Sequence, residues 1–170
     1  MGRCQRAREW KRFLPLLLLL FAGSVGIVGC QNLHRSNDVL LVLREQGQPE
    51  QIYWIETVHP GDDIQISWTH SIEKSTWMDT LTVAPDGQLV LTETRFRSFG
   101  AGMPYDTEGT VTYEDGYIVL RGLQQRIHAY QWVHSQFVQH TVRWNGKVVV
   151  QPNDIPHHRR VELVSYDMFH

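Results

Sequence analysis

The sequence predicts an all-β domain, a single sandwich or barrel of short antiparallel strands, behind an N-terminal signal or membrane anchor. Short segments beyond Cys30 alternate apolar and polar residues, which is the period-two pattern of half-buried strands. Turn-forming sequences separate these segments. No segment beyond Cys30 repeats apolar residues at helical spacing for three turns, so helices are expected only as short connectors.

The N-terminal segment, residues 1–30, has the layout of a secretory signal. Five of the sixteen Lys and Arg lie in its first twelve residues, and an almost purely apolar run of seventeen residues follows. The run leads into Ile27-Val28-Gly29-Cys30, which resembles the lipobox of bacterial lipoproteins, so Cys30 is the predicted lipidation site. The alternative is an uncleaved membrane anchor, for which this run is marginal in length. Both alternatives deliver the rest of the chain to the periplasmic side of the membrane.

Residues 31–38 are predicted to be a polar tether, and residues 39–170 the extracytoplasmic domain. A chain of this length has room for one core and not for two. Beyond Cys30, eleven Lys and Arg stand against seventeen Asp and Glu, which argues against nucleic acid as a partner. Both cysteines, Cys4 and Cys30, lie in the targeting segment, so the domain has neither a disulfide nor a cysteine metal site.

The strands follow one another along the domain. A buried strand is predicted at residues 39–43 and a half-buried one at residues 64–68, where Ile, Ile and Trp alternate with polar residues. A last strand is predicted at residues 161–166. Reversals between strands are predicted at Pro85-Asp86-Gly87, Asp115-Gly116 and Asn145-Gly146, because these residues suit tight turns and Gly and Asn tolerate positive φ.

Two histidines are predicted to point into the core. Extending the alternation of the strand at 64–68 by one step puts His70 on its apolar face, and the same parity puts His140 on the core side of a later strand. The pair fits a ligand-reading site, a metal site completed by Glu73, or an acid–base pair. The alternative is that each histidine packs in the core and makes one buried hydrogen bond.

A glycine-containing loop is the second candidate. Gly100 and Gly102 offer backbone amides that can converge on an anion, with Arg95 close by in sequence. The segment lacks the Lys-Ser or Lys-Thr of a phosphate loop, and the alternative is a tight loop that serves only the fold. Ser71 adjoins His70, but adjacent strand residues project to opposite faces, so the two do not form a nucleophile–base pair.

Three stretches of the domain are distinctive when taken together. They are Trp68-Thr69-His70-Ser71-Ile72-Glu73-Lys74, then Thr92-Glu93-Thr94-Arg95-Phe96 running into Ser98-Phe99-Gly100-Ala101-Gly102-Met103-Pro104, then His140 ahead of Asn145-Gly146-Lys147. This combination resembles a family of small bacterial exported domains of unknown function, often encoded beside membrane subunits of TAXI-type TRAP transporters. The resemblance covers roughly residues 39–165. It implies a periplasmic setting and partnership with a solute transporter. It implies no enzymatic activity, because none is assigned to the family.

The sequence therefore predicts a non-enzymatic domain that binds a small solute or docks onto a membrane transport component, with no catalytic residue, metal or cofactor assigned. The membrane is a further expected partner, through lipidated Cys30 or an N-terminal helix. A metal-dependent hydrolase and a purely structural envelope lipoprotein are the alternatives, the hydrolase using His70, Glu73 and His140. The predicted contact residues are His70, Ser71, Glu73, Arg95, Gly100, Gly102 and His140.

Overall fold

Two antiparallel β-sheets make up the computed structural model of the chain, which describes residues 38–97 and 109–167. The described residues belong to one unit, Ser36–His170. Eleven strands occur among them: β1 Val39–Glu45, β2 Gln48–Val58, β3 Asp63–Thr69, β4 Thr76–Val83, β5 Leu89–Phe96, β6 Thr110–Glu114, β7 Tyr117–Ile127, β8 Ala129–Val133, β9 Thr141–Trp144, β10 Lys147–Val150 and β11 Arg160–Asp167. In this part of the chain no helix is long and apolar enough to cross a membrane.

The strands form a small sheet in the order β2-β1-β11-β8 and a large sheet in the order β10-β9-β3-β4-β5-β7-β6. All pairings between the described strands are antiparallel. The predicted all-β sandwich is therefore confirmed. The predicted signal or anchor, Cys30 and nearly all of the tether lie outside the described residues, as do Gly100 and Gly102.

Alternation along the strands builds the core between the two sheets. Ile64 and Ile66 of β3 and Leu81 of β4 face inward from the large sheet and are at most 1% exposed. They belong to one apolar cluster with Leu41 and Leu43 of β1 in the small sheet. Burying a side chain of this size contributes about 1.5–3 kcal/mol relative to leaving it in water. The described domain contains no cysteine, so its stability rests on this core.

Two hairpin turns have the backbone geometry that their sequences predict. Asp115 and Gly116 have φ angles of 49° and 77°, and Asn145 and Gly146 have 46° and 79°. Positive φ at both central residues is the signature of the two-residue hairpin turn that matches the twist of its strands. The backbone N–H of Asn145 also donates to the Asp63 carbonyl at 2.8 Å, which ties this hairpin to the start of β3.

The sandwich has two ends with different contents. The proximal end, where β1 begins at Val39, also holds the β2–β3 turn at residues 59–62 and the hairpin at residues 145–146. The distal end holds the β3–β4 turn at residues 70–75 and the loop at residues 134–140 between β8 and β9.

Hydrogen bonds tie the distal loops together. The Thr69 N–H donates to the Val138 carbonyl at 2.6 Å, which joins the end of β3 to the β8–β9 loop. The His134 N–H donates to the Arg159 carbonyl at 2.7 Å, which joins the same loop to the segment before β11. The distal end is therefore a connected surface rather than a set of independent loops.

Candidate functional site

Aromatic and histidine rings fill the distal end between the two sheets. Trp68 on β3 and Trp77 on β4 are directly paired across the strands, and their rings stack at 5.8 Å between centroids. Six further rings extend this pair through contacts of 4.9–6.1 Å. We call the group the histidine–aromatic cluster; it consists of Trp68, His70, Trp77, Phe96, Tyr130, Trp132, His134 and His140.

The two histidines singled out by alternation contact different rings of the indole pair. His140 stacks on Trp68 at 6.1 Å between ring centroids and is 8% exposed, so its predicted inward direction is confirmed. His70 is half-buried in the turn after β3 and stacks on Trp77 at 5.8 Å. The Trp68–Trp77 pair thus carries one histidine on each member.

A third histidine, His134, completes the buried part of the cluster. It is 0% exposed, and its ring lies 5.4 Å from that of His140. Its Nε2 lies 2.9 Å from the Pro152 carbonyl, whereas its Nδ1 is buried without a hydrogen-bond partner among the described residues. Burial lowers the pKa of His134, and burial together with the nearby His134 lowers the pKa of His140 to about 4. Both rings are therefore neutral at neutral pH.

A buried carboxylate links the cluster to both sheets. Asp79, 9% exposed, accepts hydrogen bonds from Trp77 Nε1 at 3.2 Å, Thr94 Oγ1 at 2.8 Å and Tyr130 Oη at 2.6 Å. Tyr130 lies on β8 of the small sheet, so its bond spans the sandwich. Burial raises the pKa of Asp79, and burial beside that carboxylate raises the pKa of Tyr130. Hydrogen bonds to Asp79 therefore connect the two sheets beside the cluster.

Sequence reasoning did not single out Asp79 or His134 as candidates. Asp79, Leu81 and Val83 are spaced two residues apart on β4 and therefore lie on one face of the strand. Because Leu81 and Val83 are apolar, this spacing already indicates an inward carboxylate at position 79. His134 carries no such signal. It lies beyond the end of β8, in a loop whose direction the strand pattern does not determine.

Two predicted contact residues lie in the β3–β4 turn beside His70. The Glu73 N–H donates to His70 Nδ1 at 3.4 Å, and the Glu73 Oε2 atom is buried without a hydrogen-bond partner among the described residues. Ser71 is exposed. The turn therefore places the backbone of Glu73 beside the His70 ring and directs Ser71 to solvent.

Arg95 lies on the opposite side of the large sheet from the cluster. It alternates along β5 with Thr94 and Phe96, which are both buried, so its side chain reaches the outer face. There its guanidinium pairs with Glu93 at 2.9 Å and with Glu114 at 3.2 Å. The structure thus brings His70, Glu73 and His140 to the distal end and places Arg95 elsewhere.

Metal ligation has a clear geometric requirement, which is at least three suitable side chains around one point. Across residues 38–97 and 109–167, no three His, Cys, Asp or Glu side chains are grouped so as to hold a metal ion. His70, Glu73 and His140, the set required by the hydrolase alternative, do not form such a group. The arrangement offers stacking and hydrogen bonding rather than ligation.

Three large apolar side chains project from the distal end into water. Ile72 in the β3–β4 turn is 77% exposed, Tyr113 on β6 is 74% exposed and Phe137 in the β8–β9 loop is 84% exposed. Other exposed large apolar side chains in the described part of the chain reach at most 55%. Tyr113 belongs to this end because it pairs with Ile118, which in turn pairs with Phe96 of the cluster. We call these three residues the apolar tips.

A polar concavity of about 530 Å³ lies on the outer face of the large sheet, on the side away from the cluster. We call it the polar trough. Its floor is a row of paired residues on four neighbouring strands, and the glycines Gly122 and Gly146 lie at its margins. The row consists of Gln65, Thr80, Glu93 and Arg121.

An ion-pair network includes Glu93 and Arg121 of the trough floor and extends beyond the trough. It consists of Glu93, Arg95, Glu114 and Arg121. Arg121 Nε lies 2.7 Å from Glu93, and its two terminal nitrogens contact Glu114. Each charge in the network therefore has at least one opposite charge beside it, and the four together are neutral.

Part of the chain matches a known protein family. The family described as "Domain of unknown function (DUF1850)" matches residues 64–150. The chain is a member of the DUF1850 family. No curated protein and no solved structure matches it. The resemblance to a domain family of unknown function is thus confirmed.

The DUF1850 match covers the chain from β3 to β10. It contains essentially the whole large sheet together with β8. The entire histidine–aromatic cluster, the apolar tips and all residues that line the polar trough except Asp63 therefore lie within it. The strands β1, β2 and β11 fall outside it. Nearly all residues of the candidate sites are therefore in the part of the chain that the DUF1850 family model matches.

Proposed function

We propose that this DUF1850 domain is a membrane-tethered, extracytoplasmic accessory domain that docks through its distal end onto a solute-transport protein of the cell envelope. The observation that carries the proposal is that the three apolar tips share one end of the sandwich. Their role is non-catalytic contact. The predicted signal or anchor and the resemblance to domains encoded beside TRAP transporters support the setting.

The exposure of the apolar tips favours a protein-binding surface. Single exposed apolar residues are common on soluble domains, but grouped ones mark interaction sites. Phe137 and Tyr113 are aromatic, the type of side chain that most often anchors a protein interface. Phe137 also makes an edge contact with His157 at 4.7 Å between ring centroids, which restricts its orientation before a partner binds.

The histidine–aromatic cluster gives the tips a rigid base. Ile72 and Phe137 belong to turns that the Thr69–Val138 hydrogen bond of 2.6 Å holds together. Directly behind these turns lie the stacked rings of Trp68 and His140. A surface held in place before binding loses less conformational entropy when it meets its partner.

The position of the tips favours a protein surface over the lipid bilayer. The predicted anchor is joined to the domain at the start of β1, the proximal end, whereas the tips lie at the distal end. A strand of seven residues spans about 23 Å, so the tips lie at the other end of the domain from the residue at which the predicted tether enters it. A transport protein with a domain that projects from the bilayer, or one that is soluble in the same compartment, fits a contact surface at this end.

Site-specific crosslinking of the full chain in cells tests the proposal. A photoreactive amino acid replaces Phe137, and after illumination we expect a crosslink to a transport protein. The matched control carries the same amino acid in place of Tyr166, which is 42% exposed near the proximal end, and should give no such product. The double substitution Ile72→Ser and Phe137→Ser should abolish co-purification of that partner. Protease added to spheroplasts should remove the domain.

Two outcomes would contradict the proposal. Equal crosslinking from positions 137 and 166 would show that the distal end is not a specific surface. Protection of the domain from protease in spheroplasts would place it on the cytoplasmic side of the membrane and would contradict the proposed extracytoplasmic location.

A further inference from the structure

We infer that the polar trough is a second binding site, which takes a small, neutral, polyhydroxylated solute such as a sugar or polyol. The inference rests on the shape of the trough, on two polar side chains in it that lack partners, and on the ion pair between Glu93 and Arg121 in its floor. The trough lies on the outer face of the large sheet and the apolar tips lie at the distal end. The two sites are therefore independent.

Irregular strand pairing gives the trough its shape. Between the pairs Leu91–Gln125 and Glu93–Arg121, one residue of β5, Thr92, stands opposite three residues of β7. A second register shift occurs between β4 and β5 at Thr80 and Leu81. Such bulges bend a sheet and are common beside functional sites. Here the two shifts lie next to each other, and a concavity of about 530 Å³ results, within the size range of small-molecule sites.

The floor of the trough offers hydrogen-bonding groups that are not used within the domain. Gln65 and Thr80 are cross-strand partners and half-buried, and neither side chain has a hydrogen-bond partner among the described residues. Beside them, the hydroxyl groups of Thr82 and Thr92 lie 3.1 Å apart and bond to each other. A carboxamide and hydroxyl groups both donate and accept, as the hydroxyl groups of a sugar do.

The charges in the trough favour a neutral ligand. The Glu93 carboxylate faces Arg95 Nε at 2.9 Å and Arg121 Nε at 2.7 Å. Arg121 is further paired with Glu114. An anion would have to compete with two carboxylates for these guanidinium groups, and a cation would have to compete with the guanidinium groups for Glu93. The other carboxylate in the lining, Asp63, is exposed to water and accepts a hydrogen bond from the Thr82 hydroxyl at 2.8 Å. An uncharged solute can bond to Gln65 and Thr80 without breaking an ion pair.

Saturation-transfer difference NMR on the full chain in detergent micelles tests the inference. The neutral probes are trehalose, maltose and sorbitol, and the charged probes are glutamate and putrescine. We expect saturation transfer to at least one neutral probe and none to the charged ones. Gln65→Leu and Thr80→Val each remove hydrogen-bonding capacity with little change in size, and each should weaken binding by about two- to tenfold.

Matched controls use the same changes elsewhere on the domain. Thr76→Val lies on β4 outside the trough, and Gln51→Leu lies on the exposed part of β2; both should bind as the unaltered chain does. The inference is overturned if no neutral probe receives saturation, if glutamate or putrescine binds instead, or if Gln65→Leu and Thr80→Val bind like the controls. The trough would then be an ordinary solvated sheet face, and docking through the distal end would be unaffected.

Discussion

The histidine–aromatic cluster and the ion-pair network lie on opposite faces of the same strands, and they hold polar groups by opposite means. On β5, Glu93 and Arg95 point outward into the network, whereas Thr94 and Phe96 point inward to the cluster. In the network every charge faces an opposite charge beside water. In the cluster the buried polar atoms either depend on hydrogen bonds, as the Asp79 carboxylate does, or have no partner among the described residues, as His134 Nδ1.

This difference determines how much each assembly contributes to stability. A charge that loses its partner at the surface is solvated by water, so exposed ion pairs contribute little. A polar atom that loses its partner in the interior keeps the full cost of its desolvation. The cluster should therefore be sensitive to single substitutions and to pH, while the network should tolerate them.

The largest effect is expected at Asp79. Asp79→Ala leaves the donors of Trp77, Thr94 and Tyr130 buried without an acceptor, and it should lower the free energy of unfolding by about 4 kcal/mol. Urea denaturation followed by tryptophan fluorescence measures the change. Asp79→Asn keeps a carbonyl acceptor and should lose clearly less. If Asp79→Ala changed the free energy of unfolding by no more than about 0.5 kcal/mol, as an average surface substitution does, Asp79 would not hold the two sheets together.

The next effect is a dependence of stability on pH that originates in His140. Its folded-state pKa of about 4 lies below the ordinary value of 6.5, so between these pH values the unfolded chain binds more protons than the folded one. The contribution of His140 to the free energy of unfolding should therefore fall as the pH is lowered from 6.5 to 4. The size of the fall is about 3 kcal/mol.

Comparison of His140→Gln with the unaltered chain isolates this contribution from that of other titrating groups. The variant should be less sensitive to acid over the same range, with the free energy of unfolding measured by urea denaturation at several pH values. His128→Gln changes an exposed histidine and serves as the control. Parallel pH profiles for the unaltered chain and His140→Gln would argue against a neutral, buried His140.

The smallest effect is expected in the network. Arg121→Met removes the ion pairs to Glu93 and Glu114 but leaves both carboxylates in contact with water and with Arg95. The midpoint of urea denaturation should hardly change, and any change should disappear in high salt. A shift comparable to that of Asp79→Ala would mean that the two assemblies do not differ as proposed.

The strand pattern predicted the parts of the fold that depend on local sequence. Alternation at residues 64–68 placed β3 and its inward face correctly, and the Asp115-Gly116 and Asn145-Gly146 sequences fixed two hairpins. The first five residues of β2 are all exposed, so they show no alternation, and this strand was not predicted. An edge strand held mainly by backbone pairing leaves little trace in the side-chain pattern.

The candidate sites were predictable only in part, because they depend on contacts between distant strands. The inward direction of His140 followed from parity, but its neighbour His134 lies on a loop whose position is set by the bond between Val138 and Thr69. The trough depends on the register shift between β5 and β7. Only Gly122, at a φ of 75°, hints at that irregularity in the sequence.

The boundaries of the DUF1850 match have a practical consequence for anyone who trims this protein. A polypeptide cut at residues 64 and 150 would lack β1, β2 and β11, and with them the apolar side chains that cover Ile64, Ile66 and Leu81. It would also leave β8 without β11, the strand with which it pairs. Such a fragment should precipitate rather than fold. The residues that the family model matches, 64–150, are fewer than the residues needed to build both sheets, which extend from β1 to β11.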